Sequence, residues 1–168
     1  SFFFLREQKF ESGMPVTERY QNTRLWLHRL GEDTARDVLV LGPGVAPKVA
    51  VPRTDFPYVI ATPGSRYAVA AVFAGVQREL SLYSAPLATV GKPGTPWVKI
   101  CDRSDKVTDF AVRGDDIYLL TYAPSPRYAV IRTGLAKPDL ASAATVVAAS
   151  DQVLFEMAAA KDGLYLES

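Results

Sequence analysis

The sequence predicts an all-β protein, a partial β-propeller of four-stranded antiparallel blades cut from a larger ring. Three observations predict it. The apolar segments are short, rich in Val, Ile, Tyr and Phe, and often alternate with period two, while helical periodicity is nearly absent. A repeat follows: Arg103-Ser104-Asp105-Lys106-Val107, an apolar strand, a turn and Ile117-Tyr118-Leu119 return as Ala149-Ser150-Asp151-Gln152-Val153, a strand, a turn and Leu164-Tyr165-Leu166. The Asp marks lie 46 residues apart, and Tyr67, Tyr118 and Tyr165 are spaced by 51 and 47, a period that suits one propeller blade. Finally, the stretch 67–74 is apolar on both faces, as a strand held between two neighbouring blades requires.

Taken in order, residues 1–45 supply the last strands of one blade, at 2–7, 23–30 and 38–41, with a polar hairpin loop at 11–22. Residues 56–102 form a complete blade from strands at 58–62, 67–74, 79–84 and 97–101. A second complete blade, 105–150, takes strands at 107–112, 116–122, 129–133 and 146–149. Residues 152–168 begin a further blade with strands at 154–159 and 164–166. Pro63-Gly64-Ser65, Arg113-Gly114-Asp115-Asp116 and Lys161-Asp162-Gly163 read as tight hairpin connections. The Ala-rich stretch 140–149 is the one helix candidate, but Thr145, Val146 and Val147, together with the repeat, favour a strand. Within 168 residues this register closes no ring, so the chain reads as a slice of a larger protein with open blade edges. Its opening Ser-Phe-Phe-Phe also lacks an initiating Met.

Composition narrows the chemistry. With 19 basic against 18 acidic residues the formal charge is +1, which gives no electrostatic reason to expect nucleic acid as partner. The longest apolar run, 67–75, is far short of a bilayer span, no leader pattern is visible, and no membrane partner is expected. One cysteine forms no internal disulfide, and one histidine with it builds no Cys/His zinc site, so neither metal nor cofactor is expected. A single thiol fits a reducing compartment without excluding an oxidising one, leaving cytoplasm and periplasm both open.

No catalytic constellation emerges. A Gly-x-Ser-x-Gly nucleophile elbow is absent from the sequence. His28, in Leu25-Trp26-Leu27-His28, reads as a blade-surface histidine beside Trp26 with no recognisable nucleophile to serve. Cys101 reads as a small apolar filler at a strand end. Gly91-Lys92-Pro93-Gly94-Thr95 lacks phosphate-loop spacing and reads as a blade-to-blade loop. Asp102, Asp105, Asp109, Asp115 and Asp116 read as solvated turns and caps, since no glycine and closing Glu complete a calcium loop. Adjacent acids such as Glu32-Asp33 and Asp115-Asp116 point apart in extended chain and make no acid/base pair. The expected catalytic, cofactor and metal residues are therefore none.

Thr23-Arg24-Leu25-Trp26-Leu27-His28-Arg29-Leu30-Gly31, followed by Glu32-Asp33 and Asp37-Val38-Leu39-Val40-Leu41, resembles the early propeller of prolyl oligopeptidases. Thr62-Pro63-Gly64-Ser65-Arg66-Tyr67 resembles the turn that opens a blade in that family, with Pro-Gly-Ser in place of Pro-Asp-Gly. Trp97-Val98-Lys99-Ile100 and Ser150-Asp151 with Val153-Leu154 sit where the family places blade ends and starts, so the resemblance runs from about residue 2 to 166. It implies a serine peptidase in which a seven-bladed propeller caps an α/β-hydrolase domain of the same chain and admits short proline-containing peptides. The catalytic Ser, Asp and His of that family belong to the hydrolase domain, and none has a matching position here. The alternative is a propeller interaction scaffold with no enzymatic role, although the Trp-Asp blade endings of one large scaffold family are missing. A propeller carbohydrase or lactonase is a third reading, weakened by the scarcity of acids in the predicted innermost strands.

Overall fold

Alternating apolar residues and glycine-bearing turns fold the chain into successive antiparallel meanders. The computed structural model describes residues 1–160 and 162–168. β1 (Phe2–Arg6), β2 (Arg24–His28) and β3 (Val38–Leu41) make a three-stranded sheet. β4 (Phe56–Ala61), β5 (Tyr67–Phe73), β6 (Ser81–Pro86) and β7 (Val98–Cys101) make a four-stranded sheet in chain order. A second four-stranded sheet holds β8 (Val107–Arg113), β9 (Asp116–Thr121), β10 (Ala129–Gly134) and β11 (Ala144–Val147), and β12 (Glu156–Ala159) pairs with β13 (Leu164–Glu167). Among the described residues helix is limited to single 3₁₀ turns, such as Arg103–Asp105. At the β8–β9 hairpin, Arg113 pairs with Asp116 and Gly114 holds φ +59°, a backbone that glycine adopts without a Cβ clash.

β5 shows why the sheets stack. Ala68, Ala70 and Val72 pack on one face with Leu25 and Leu41 of the first sheet. Val69 and Ala71 pack on the other with Ile117 and Leu119 of the third. Val72 and Leu119 are completely buried. The alanines keep the sheets close, and each buried valine contributes about 1.5–3 kcal/mol relative to exposure. A third cluster joins Leu120 and Val130 to Met157 of the fourth sheet. Polar contacts fix the stacking register. The Leu80 N–H donates to the Val107 carbonyl at 2.9 Å, and the Ser84 hydroxyl to the Leu135 carbonyl at 2.8 Å. Arg66 spans from one hairpin turn to the Asp115 carboxylate of the next.

Several boundaries move for identifiable reasons. β6 starts at Ser81 rather than 79 because the Leu80 N–H is committed to the third sheet. β12 starts at Glu156 rather than 154 because the Leu154 N–H donates to Arg127. β11 lies at Ala144–Val147, two residues earlier than its predicted start, following the pairing of Arg132 with Ala144 and a bulge at Val130/Ile131. The loop containing Gly91-Lys92-Pro93-Gly94-Thr95 does not run between blades. It joins β6 to β7 within one sheet, and a Cβ on Gly91 would sit 3.1 Å from Leu27 of the first sheet. Lys161, in one predicted turn, lies outside the described residues.

Candidate functional site

β4 is an edge strand, and alternation sends Phe56, Tyr58 and Ile60 to one of its faces. Cross-strand register sets them opposite Phe73, Ala71 and Val69 of β5. Tyr58 meets the Phe73 ring edge-on, with centroids 5.4 Å apart. With Val59 these side chains line an open depression of about 510 Å³. Tyr58 is 42% and Ile60 36% exposed, so large apolar groups face solvent on a strand whose other side is packed. An aromatic and aliphatic surface of this kind suits an apolar ligand group. Sequence reasoning left such residues unnamed. The available signal was the alternation Phe56-x-Tyr58-x-Ile60, whose exposure depends on which sheet edge it occupies.

The histidine has the partner that sequence reasoning did not find. His28 Nδ1 lies 2.7 Å from Asp37 Oδ1, and Arg6 donates to the other oxygen of the same carboxylate. The Asp37 side chain is 2% exposed. Arg6 also lies over the Trp26 and Phe4 rings, at 4.7 and 5.0 Å, while His28 contacts the Phe2 ring at 5.3 Å. A carboxylate-oriented imidazole is two parts of a hydrolytic triad. Among the described residues no hydroxyl or thiol hydrogen-bonds His28, and the contacts of Asp37 tie β1, β2 and the approach to β3 together.

Cys101 is buried, and burial pushes its thiol up to about 12, which leaves it protonated and unreactive at neutral pH. Asp102 and Asp105 form a capping box around the 3₁₀ turn Arg103–Asp105. Hydrogen bonds from Ser104 and Lys99 hold the Asp102 carboxyl down at about 2. Asp109 departs from the solvated-turn reading. It sits half-buried at a bulge in β8, accepts the Phe110 N–H at 2.7 Å and the Met157 N–H of β12 at 3.1 Å, and burial raises its pKa. Among the described residues no group of three or more His, Cys, Asp or Glu side chains is placed to hold a metal ion.

Four antiparallel sheets in chain order, packed face against face, define a β-propeller segment. The chain belongs to the prolyl oligopeptidase N-terminal β-propeller domain family, whose model matches residues 1–168. Solved structures agree in fold. One, from a structural and mechanistic study of two prolyl endopeptidases and the role of inter-domain dynamics in catalysis and specificity, superposes with a TM-score of 0.75 at 20% identity, covering 98% of this chain and 23% of that one. Prolyl oligopeptidase B from Galerina marginata, bound to a 35mer hydrolysis and macrocyclization substrate, gives 0.73 at 19% identity over 95% of this chain and 21% of that one. The same enzyme with a 25mer macrocyclization substrate gives 0.73 at 18% identity, with the same coverage. This chain therefore spans about a fifth to a quarter of the length of those structures. No curated protein matches it in sequence.

Proposed function

We propose that this chain is the propeller portion of a prolyl oligopeptidase-like serine peptidase. It walls a cavity beside a separate α/β-hydrolase domain, restricts entry to short proline-containing peptides, and performs no bond cleavage itself. The observation that carries this reading is the depression at Phe56, Tyr58, Ile60 and Phe73, an open apolar surface beside which, among the described residues, no nucleophile–base pair stands. Acyl transfer needs a nucleophile, a base within hydrogen-bond reach and oxyanion donors. Here the imidazole is spent on Asp37 and the thiol is buried. The hydrolase domain supplies the chemistry and the propeller supplies positioning. Binding that is equal in ground and transition states lowers KM without changing kcat.

The test is steady-state kinetics of the whole protein on a proline-containing peptide series, comparing wild type with a Tyr58→Ser/Ile60→Ser double variant. Both side chains are exposed, so the fold should survive. We expect KM to rise several-fold with kcat nearly unchanged. Unaltered KM across the series would remove the depression from the substrate path.

A further inference from the structure

The strand that carries the depression is weakly held along its own length. β4 bonds to β5, and among the described residues its other edge pairs with no strand. Pro57, between Phe56 and Tyr58, has no N–H to give to any ladder. What fixes the entry of β4 is a side chain from the next sheet. Arg103 Nη2 donates to Asp55 Oδ2, one residue before Phe56. The Asp55 side chain is 4% exposed and that of Arg103 34%, so the pair is shielded from solvent and salt. Asp55 is itself held in place: its N–H donates to the Pro52 carbonyl at 3.1 Å, and its second oxygen accepts the Thr54 hydroxyl at 3.1 Å. Arg103 stands on a rigid base, because the 3₁₀ turn Arg103–Asp105 is closed by the capping box of Asp102 and Asp105. The Thr121 hydroxyl donates to the Asp105 carbonyl at 2.8 Å and the Tyr122 N–H to the Lys106 carbonyl at 3.2 Å, which ties that turn to the third sheet. The Arg103 Nε is buried without an acceptor, which offsets part of what the pair contributes to stability. Past the far end of β4, Arg66 and Asp115 also join the second and third sheets, but their side chains are 82% and 27% exposed and solvent screens them.

We propose that Arg103 is a positioning residue for the apolar depression: through Asp55 it fixes the entry of β4, and with it the placing of Phe56 and Tyr58, against the first turn of the third sheet. The inference rests on the reading of the depression as a surface that contacts the peptide. The face of β4 that bears Phe56, Tyr58 and Ile60 is the face turned toward the third sheet, since Val69 and Ala71, their partners on β5, pack with Ile117 and Leu119. Phe73, which completes the lining, and Phe110 of β8 pack against the same cluster. The ion pair therefore joins the two sheets on the side where the depression opens. Arg103 touches no substrate in this account. It acts through the strand, so its loss should weaken the grip on an apolar side chain and leave the bond-breaking step alone.

The experiment is steady-state kinetics of the whole protein on three proline-containing peptides that differ in one residue beside the proline, Ala, Leu or Phe. In the wild type KM should fall from the Ala to the Phe peptide. Arg103→Met should raise KM for the Leu and Phe peptides roughly fivefold, toward the value for the Ala peptide, with kcat unchanged. Arg103→Lys keeps a cation facing Asp55 and should restore most of the discrimination. Arg66→Met, which removes the exposed pair, should leave all three peptides unaltered. Because Arg103→Met leaves the Asp55 carboxylate buried and uncompensated, Arg103→Met/Asp55→Asn is made beside it and should raise KM in the same way without that burden on folding. A purely structural pair would instead lower the melting temperature and the amount of active enzyme, and so the apparent kcat, at constant KM. Unchanged KM in both Met variants, or an equal rise for all three peptides, overturns the proposal. The Tyr58→Ser/Ile60→Ser variant separates the two levels: if it raises KM while the Arg103 variants do not, this inference alone falls, and if it leaves every KM unaltered, the reading of the depression falls and takes this inference with it.

Discussion

Placing a carboxylate on either face of β5 tests the stacked-sheet architecture directly. Val72 faces the first sheet and Val69 the third, and both are at most 1% exposed. In Val72→Asp or Val69→Asp the new carboxyl has no partner and stays neutral in the folded state. Neutralising a carboxyl of ordinary pKa near 3.9 at pH 7 costs about 3 pH units, or about 4 kcal/mol. Losing the buried valine adds about 2 kcal/mol. Each variant should therefore lose about 6 kcal/mol, most of the stability of an ordinary domain. The sign with pH follows from the raised folded-state pKa. The penalty is full above that pKa and shrinks as pH falls toward the unfolded-state value, by about 1.4 kcal/mol per unit. Urea unfolding at pH 7 and pH 5, read by fluorescence of the buried Trp97, measures both effects. A variant at either position losing less than about 1 kcal/mol would refute burial on both faces, since a strand with one wet face tolerates charge there.

Other outcomes follow from individual contacts. Cys101 should resist a thiol reagent at pH 8 in the native protein and react fully in denaturant, because its pKa is raised to about 12 by burial. Asp109→Ala should cost about 1–3 kcal/mol by freeing the Met157 and Phe110 N–H groups, with faster hydrogen exchange at the Met157 amide as the local signature. Asp37→Ala should destabilise more than His28→Ala in thermal melting, because the carboxylate serves Arg6 and the imidazole together.

The fold class was legible because propeller blades impose short-range rules: alternation marked the strands, and the two-faced run at 67–74 marked a strand between sheets. The Gly-bearing turn 113–116 likewise announced its hairpin. Boundaries at Leu80 and Leu154 were not legible, since their N–H groups bond to the carbonyls of Val107, in the third sheet, and of Arg127, in the turn before β10, which no local pattern reveals. The pairing of His28 with Asp37 escaped for the same reason. Nine residues separate them, and only the β2–β3 connection brings them together. The apolar depression was half visible, as an alternation whose solvent-facing side is fixed by sheet order.

Hydrolysis of a chromogenic proline-terminated dipeptide, by the isolated 168-residue chain and by the whole protein in parallel, tests the central claim. Turnover by the whole protein and none by the isolated chain is the predicted result. Turnover by the isolated chain that disappears in His28→Ala would contradict it, by making the imidazole at Asp37 a working base. Absence of turnover by the folded whole protein would contradict it from the other side and move the propeller to the interaction-scaffold reading.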